Sequence, residues 1–177
     1  FFLGKSSHPD LYGGFNTRLN YAGFDLGLDF SFQLGGYIID DDYASLMYGF
    51  LGELGGSNIH KDALTKSWTP THPHAQYPRL QTGIAQQTNL ATNVDAFYVS
   101  ASYLSLNNIN IGYTLPQQLL YRFTKGQVQN LRIYLAADNV CYWSARKGLD
   151  PREALTGSTK ENYSTVRTIA GGLTLTF

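Results

Sequence analysis

The feature that most constrains this chain is a strict alternation of apolar and polar residues between Phe24 and Leu34. All six even positions are apolar, whereas the five odd positions carry aspartate, glycine, serine or glutamine. An α-helix would scatter the six apolar side chains around its circumference, but a β-strand places them all on one face. The segment is therefore predicted to be a strand with one apolar and one polar face.

Four further segments alternate in the same way. Together they predict five strands at residues 12–21, 24–34, 98–115, 131–141 and 165–177, with a short helix at 117–123. Only Ala22 and Gly23 separate the first two strands, which is the length of a two-residue β-hairpin turn. The predicted fold class is all-β, with antiparallel strands and one long connection at residues 35–97.

The third predicted strand changes phase near its middle. Leu104 and Leu106 have the opposite parity to Ile109 and Ile111. A β-bulge at 107–108 would return both sets to one face, because one extra residue restores the phase. We therefore expect a bulge at the two asparagines there.

Composition narrows the classes of protein that this chain can represent. The 13 lysine and arginine residues balance the 13 aspartate and glutamate residues, so no net field recruits nucleic acid or an anionic surface. The single cysteine, Cys141, excludes an internal disulfide and a multi-cysteine metal site. The sequence contains no run of 18 apolar residues, so a membrane-spanning helix is not predicted. The chain opens with neither a methionine nor a signal peptide, so a fragment of a longer precursor is expected.

Two kinds of fold bury one face of every strand, namely a soluble β-sandwich and a transmembrane β-barrel. The predicted strands have about 10 to 13 residues, which suffices for a tilted crossing of the hydrocarbon layer and exceeds the usual sandwich strand. Aromatic residues gather at the strand ends, as they do at both membrane interfaces. Long connections alternate with a short turn, which is typical of outer-membrane barrels. The barrel is the favoured interpretation.

The C-terminal strand resembles the assembly signal of bacterial outer-membrane proteins, because Leu173, Leu175 and the terminal Phe177 share one face. This resemblance implies that the C-terminus and the Ala22–Gly23 turn are periplasmic and that the 35–97 connection is extracellular. Five strands cannot close a barrel, whose smallest single-chain form has about eight. Since an open edge in lipid leaves costly unpaired backbone groups, partner strands are expected elsewhere.

Several short motifs along the chain belong together. They are Tyr12-Gly-Gly-Phe15, Tyr21-Ala-Gly-Phe-Asp-Leu26, Trp68-Thr-Pro70, Tyr103 to Pro116, Leu131-Arg-Ile-Tyr-Leu135, Asp138-Asn-Val140, Lys147-Gly-Leu-Asp-Pro151 and Leu173-Thr-Leu-Thr-Phe177. Jointly they closely resemble the C-terminal end of SusC-family TonB-dependent transporters of Bacteroidetes. The resemblance covers nearly the whole chain.

The resemblance implies a barrel of about 22 strands with an N-terminal plug, of which this chain would supply the last five strands. It also implies import of oligomeric nutrients, glycans or peptides, across the outer membrane without covalent chemistry, so neither enzyme activity nor a cofactor is expected. The implied partners are the remaining barrel and plug, TonB acting through the missing N-terminal part, a SusD-like surface lipoprotein, and outer-membrane lipid with lipopolysaccharide.

Two sets of residues are candidates for function. Arg18, Asp25, Asp29 and Arg132 lie on the predicted polar face, where barrel geometry would place them in the lumen, docking the plug, lining the wall or touching substrate. Aromatic side chains of the long connection could stack on a sugar or contact the lipoprotein lid, and these are Tyr43, Tyr48, Trp68 and Tyr77. Residues 43–54 are predicted either as a short helix that packs against a partner or as the core of a folded loop.

Two polar clusters of the connection are weaker metal candidates. His72 and His74, with His60 nearby, lack a fixed third ligand and are interpreted as loop histidines. The run Asp40-Asp-Asp42 could bind calcium through oxygen ligands but lacks EF-hand spacing, so a solvated acidic loop edge is the favoured interpretation.

Two other classes of protein stay open at this point. A soluble β-sandwich that serves as a carbohydrate-binding module would also explain the alternation and the exposed aromatic residues. An enzymatic outer-membrane barrel would need a catalytic constellation, and no Gly-x-Ser-x-Gly motif occurs in the chain.

Overall fold

The structure, a computed structural model, describes residues 4–48, 58–80, 94–154, 158–159 and 165–177. Backbone contacts divide the chain into two units. The sheet unit comprises Asp10–Leu34, Tyr103–Ser144 and Ser164–Phe177. The connection unit comprises Phe1–Pro9, Gly35–Ser102 and Ala145–Tyr163. Within the described ranges, the helices are all too short or too polar to cross a membrane.

The elements follow one another in a mostly β order. They are β1 (Leu11–Tyr21), β2 (Phe24–Leu34), β3 (Tyr37–Asp40), α1 (Asp41–Tyr48), α2 (Lys61–Lys66), β4 (Tyr98–Ser100), β5 (Tyr103–Thr114), α3 (Gln117–Thr124), β6 (Asn130–Ser144), β7 (Ser158–Thr159) and β8 (Thr168–Thr176). Short 3₁₀ turns occupy Asp95–Phe97 and Pro151–Glu153.

The sheet unit is one antiparallel sheet with the strand order β1-β2-β5-β6-β8. This confirms the prediction of five antiparallel strands. Ala22 and Gly23 have φ values of 50° and 87°, the positive pair that a type I′ hairpin turn requires. A side chain at Gly23 would lie 2.7 Å from the carbonyl oxygen of Thr114, so the turn also needs glycine for space.

The predicted bulge is confirmed. Asp29 pairs with Asn108 and the next residue, Phe30, pairs with Leu106, so Asn107 is the extra residue of β5. At the same place β6 has an extra residue relative to β5, because Leu106 pairs with Cys141 and Asn108 pairs with Asp138. The predicted helix is confirmed as α3, which ends where Lys125 adopts a left-handed conformation and donates its N–H to Tyr121 O at 3.0 Å.

The predicted third strand, 98–115, is wrong in its first part. Tyr98–Ser100 is the separate strand β4, which pairs with β3 in a second sheet. Ala101, just after β4, is buried, and its N–H donates to Gly36 O at 3.0 Å. The other bounds differ by a few residues: the predicted strand 131–141 extends to Ser144, and the predicted strand 165–177 begins at Thr168.

The connection unit has its own sheet and its own core. Strand β3 pairs antiparallel with β4 and parallel with β7. The larger hydrophobic cluster consists of Tyr43, Ala44, Met47, Ala63, Tyr77 and Phe97, and the smaller consists of Ile38, Ala101, Leu149 and Ala154. The segment predicted as one long loop, 35–97, is thus folded where the structure describes it. Residues 43–48 of the segment 43–54 are helical and help to build this core, whereas 49–54 lie outside the described residues.

Candidate functional site

The sheet has two chemically different faces, as the alternation predicts. In the register of the strands, one row of the apolar face crosses all five strands through Leu19, Leu26, Ile111, Leu135 and Gly171. Large side chains of this face are exposed on every strand, among them Leu19, Phe24, Ile111, Leu135 and Ile169. A soluble β-sandwich would bury this face against a second sheet. Its exposure therefore does not fit the sandwich alternative.

The C-terminal strand β8 contributes to the same apolar face. Leu173 pairs with Ile133 and Leu175 pairs with Leu131. The side chain of Phe177 is 77% exposed. The three residues predicted as an assembly signal thus stand at one end of an exposed apolar surface.

The polar face brings the four predicted charged residues together as two ion pairs. Arg18 on β1 lies 3.3 Å from Asp29 on β2. Arg132 on β6 donates to both carboxylate oxygens of Asp25 on β2, at 2.9 and 2.5 Å. It also donates to the side-chain oxygen of Asn110 at 2.9 Å. Two positive and two negative side chains therefore neutralise one another within the sheet.

The Asp25–Arg132 pair bridges two strands that are not neighbours, because β5 lies between β2 and β6. The residue of β5 beneath the pair is Gly112, whose register partner on β2 is Asp25. A Cβ at Gly112 would lie 2.6 Å from Asp25 Oδ2 and 2.5 Å from Arg132 Nη2. The pair can reach across β5 only because this position carries no side chain.

Two other glycines of the polar face have the same role. Arg18 lies over Gly27, where a Cβ would approach the guanidinium carbon to 3.1 Å. Tyr134 lies over Gly172, where a Cβ would come within 2.6 Å of the ring carbon that bears the hydroxyl. Long side chains therefore lie flat on this face instead of projecting from it.

Further polar contacts on this face were not predicted from the sequence. The Asn108 side chain donates to Asp138 at 2.7 Å, and the bulge residue Asn107 donates to the hydroxyl of Ser31 at 2.9 Å. The excess of asparagine at the polar positions of β5 was the available signal. These bonds tie β5 to both of its neighbours at the bulge.

In the connection unit, the predicted contact residues separate into two groups. Tyr43 and Tyr77 are only 6% and 4% exposed, because both rings pack in the larger hydrophobic cluster. This corrects the prediction that these two side chains stack on a sugar or contact the lipoprotein lid. Trp68 is partly exposed and stays a candidate for such a contact. The side chain of Tyr48 lies outside the described residues.

Tyr43 is the centre of a polar contact inside that cluster. Its hydroxyl donates to Asp62 Oδ2 at 2.9 Å, and the ring lies edge-on to His60 with centroids 5.0 Å apart. Burial, reinforced by the hydrogen bond to Asp62, raises the pKa of the Tyr43 phenol far above its usual value. The hydrogen bond from Lys66, at 2.7 Å, and that from Tyr43 lower the pKa of Asp62. Both groups therefore keep their ordinary charge at neutral pH.

The aspartate run 40–42 begins helix α1, and its first residue is buried. Asp40 Oδ1 accepts the N–H of Tyr43 at 3.1 Å, as a helix N-cap does. Its other oxygen accepts a hydrogen bond from Arg146 Nε at 2.7 Å. Asp41 and Asp42 lie in the first turn, where negative charge is favourable. The prediction of a solvated acidic edge is thus wrong for Asp40, which is 1% exposed.

The described residues include no group of three or more His, Cys, Asp or Glu side chains placed to hold a metal ion. His72 and His74 are exposed on the turn after α2, while Nδ1 of His60 caps that helix by accepting the N–H of Asp62 at 3.1 Å. The geometry therefore gives these histidines surface and structural roles.

The fold and the two faces together define a class. An antiparallel sheet of long strands, with an exposed apolar face and a flat polar face that carries two ion pairs, has the construction of a wall segment of a β-barrel of the outer-membrane transporter class.

Comparisons with known proteins agree with this class. No protein-family profile matches the chain. It is 28% identical to TonB-dependent receptor P3 of Formosa agariphila over 96% of the chain and 16% of the receptor. It is 26% identical to TonB-dependent receptor SusC of Bacteroides thetaiotaomicron over 99% of the chain and 16% of that receptor. Among solved structures, the RagAB peptide transporter matches 99% of the chain and 18% of its own chain, with 27% identity and a TM-score of 0.75.

The chain is therefore similar to SusC-like TonB-dependent receptors along nearly all of its length. The chain spans about a sixth of the length of the curated relatives that it matches. The matched proteins are named receptors, transporters and importers rather than enzymes, and TonB-dependent receptors are outer-membrane proteins.

Proposed function

We propose that this chain is the C-terminal wall of a TonB-dependent outer-membrane importer of oligomeric nutrients. The observation that carries the proposal is the continuous apolar face of the five strands, which is exposed at every strand and suited to lipid. The polar face then lines the lumen, and the plug and remaining strands come from the rest of the receptor. No step of this function needs covalent chemistry by the chain.

The polar face suits a wall that contacts a plug. Its long side chains lie over glycines, so a folded domain can approach the strands closely. Four of its charges form two ion pairs within the wall, so plug docking does not leave these four buried and unpaired, which would be costly. Arg18, Asp25, Asp29 and Arg132 therefore line the lumen as a neutral surface.

We assign the ends of the sheet from the connections. The Ala22–Gly23 turn, α3 and the C-terminus share one end, which we place in the periplasm. Segments 35–102 and 145–167 join the other ends of the strands, and we place these segments outside the cell. Trp68 is then available to a ligand or a lipoprotein lid. With this arrangement we propose a SusD-like lipoprotein, TonB and lipopolysaccharide as partners.

The substrate is an oligomer, and we propose a peptide before a glycan. Two solved relatives are named a RagAB peptide transporter and a RagAB peptide importer, and the latter match gives 28% identity with a TM-score of 0.75. A strain that lacks the complete receptor should lose growth on peptide oligomers and regain it with the receptor gene. Growth loss on glycan oligomers alone would assign the glycan substrate instead.

Cysteine labelling tests the orientation. In the complete receptor, Thr71→Cys in the connection unit should react with a membrane-impermeant maleimide on intact cells. Gln127→Cys, beside α3, should react only after the outer membrane is opened. Both positions are exposed, and Cys141 and any other cysteine of the receptor are first replaced by alanine. The opposite labelling pattern would reverse the orientation, and equal labelling of both sites on intact cells would refute insertion.

A further inference from the structure

Helix α3 is fixed to one end of the sheet. Before the helix, the N–H of Leu115 donates to Leu131 O at 2.9 Å, and after it the N–H of Gln129 donates to Thr176 O at 2.7 Å. Leu120 is the buried residue of the helix. The same sheet end carries the exposed rings of Tyr21 and Phe24. The helix therefore stands beside an aromatic edge of the sheet.

One side of α3 exposes two large apolar side chains. Leu119 and Phe123 are one turn apart, and their side chains are 45% and 80% exposed. At 3.6 residues per turn they lie on a different side from Gln118, which lines a groove of about 700 Å³ together with Tyr121 and Gln129. Packing against the sheet thus uses only one side of this helix.

The charge of this segment has one sign. Arg122 lies beside the exposed edge and Lys125 follows the helix directly, whereas residues 115–131 contain no aspartate or glutamate. A short helix that exposes leucine and phenylalanine and carries only cations is suited to the boundary between lipid headgroups and acyl chains. Its charge complements anionic headgroups.

We propose that α3 is an interfacial helix that binds anionic glycerophospholipid in the membrane leaflet at this end of the sheet. Leu119 and Phe123 enter the upper acyl region, and Arg122 and Lys125 bind the phosphate groups. This inference rests on the proposed function, because that function supplies the membrane and makes this leaflet the periplasmic one.

Quenching in nanodiscs tests the position of the helix. The complete receptor, with its other cysteines replaced, carries one polarity-sensitive fluorophore at Phe123→Cys, Gln118→Cys or Leu28→Cys. Lipids with a nitroxide near the headgroup should quench position 123 at least threefold more than position 118, and aqueous iodide should show the reverse order. Equal iodide quenching of 118 and 123 overturns the proposal. Position 123 protected from both quenchers indicates a protein partner and also overturns it.

The position at Leu28 separates the two hypotheses. It lies in the middle of the apolar face and should be quenched by a mid-chain nitroxide if the proposed function is right. Quenching at 28 without quenching at 123 refutes only the interfacial helix. Absence of quenching at 28 refutes the membrane wall and the helix proposal with it.

Variants that remove one positive charge test whether α3 binds anionic headgroups. One cation near an anionic membrane surface contributes about fivefold to lipid binding. Arg122→Gln and Lys125→Gln should each lower the enrichment of nitroxide-labelled phosphatidylglycerol over phosphatidylcholine at position 123 by about that factor. Lys61→Gln, in the connection unit, is the matched control and should leave the enrichment unchanged. Equal enrichment in all three variants would refute the role of the cations.

Discussion

Two adjacent alanines in the middle of β6 test which face of the sheet contacts lipid. Ala137 lies on the apolar face between Ile109 and Ile169, whereas Ala136 lies on the polar face between Asn110 and Ala170. The two residues have the same side chain, stand at the same depth and differ only in direction. Replacing each by arginine therefore compares the two environments with little difference in the starting state.

The expected magnitude follows from the position of this pair. An arginine on the lipid face at the bilayer midplane costs about 2–4 kcal/mol, whereas lumen substitutions tune selectivity instead. Ala137→Arg should thus lower the folding equilibrium constant of the complete receptor by about 30-fold to 700-fold relative to Ala136→Arg.

The assay is the fraction of folded, heat-modifiable receptor after folding into vesicles across a urea series. Wild-type receptor sets the reference, and the slope of each transition shows whether the unfolded states are comparable. If the two arginine variants lose the same stability, or if Ala136→Arg loses more, the assignment of the apolar face to lipid is refuted.

Three further predictions concern single sites. Gly172→Ala should force the Tyr134 ring to move and destabilise the receptor by about 0.5–1.5 kcal/mol, whereas Gly171→Ala, with its nearest neighbour at 3.7 Å, should be nearly neutral in the same urea assay. Arg146→Ala should lower the free energy of unfolding by about 3–5 kcal/mol because it leaves the buried Asp40 carboxylate without a cation. Hydrogen exchange in β3 should rise in this variant, and adding Asp40→Asn should restore protection. Since the pKa of Asp62 is lowered from 3.8, the contribution of its carboxylate to stability is present above pH 3.8 and is lost as the pH falls through the lowered pKa. Asp62→Asn should therefore remove this acid dependence from the hydrogen exchange of α2. An unchanged pH profile of exchange in this variant would refute the role of Asp62.

The elements of the sheet could be predicted because each rests on local rules. Period-two alternation identifies a strand, and positive φ values explain a turn of two residues between alternating runs. The bulge at Asn107 was predictable because a single extra residue leaves a visible change of parity on either side. None of these inferences needs knowledge of which strand lies beside which.

The ion pairs of the polar face could not be predicted, because they depend on register between strands far apart in the sequence. Asp25 and Arg132 are 107 residues apart, and they meet above Gly112, where there is no room for a side chain in this geometry. The polarity of the face was clear from the sequence, but the partner of each charge was not.

The connection unit shows where composition misleads. A long segment between strands with several tyrosines suggests an exposed binding loop, yet Tyr43 and Tyr77 build a core. A signal was present, since Tyr43, Ala44 and Met47 have the spacing of one helix face, and three aspartates before them mark a helix start. The burial of Asp40 depends on Arg146, which joins it only in the folded unit.

The bulge gives β5 a spare residue. In the β2–β5 pair, removing Asn107 would leave Leu106 and Ile109 on the apolar side and Asn108 on the polar side, because the extra residue and the phase change disappear together. A deletion elsewhere in a regular strand turns every following side chain to the wrong side. In β5, by contrast, a deletion can remove the bulge instead of shifting the whole strand. Only the residues between the deletion and the bulge then change sides. Toward β2, this strand can therefore shorten by one residue while both surfaces keep nearly all of their chemistry, a tolerance of length that a perfectly regular strand lacks. Toward β6 the irregularity would grow, because β6 already has an extra residue at this place.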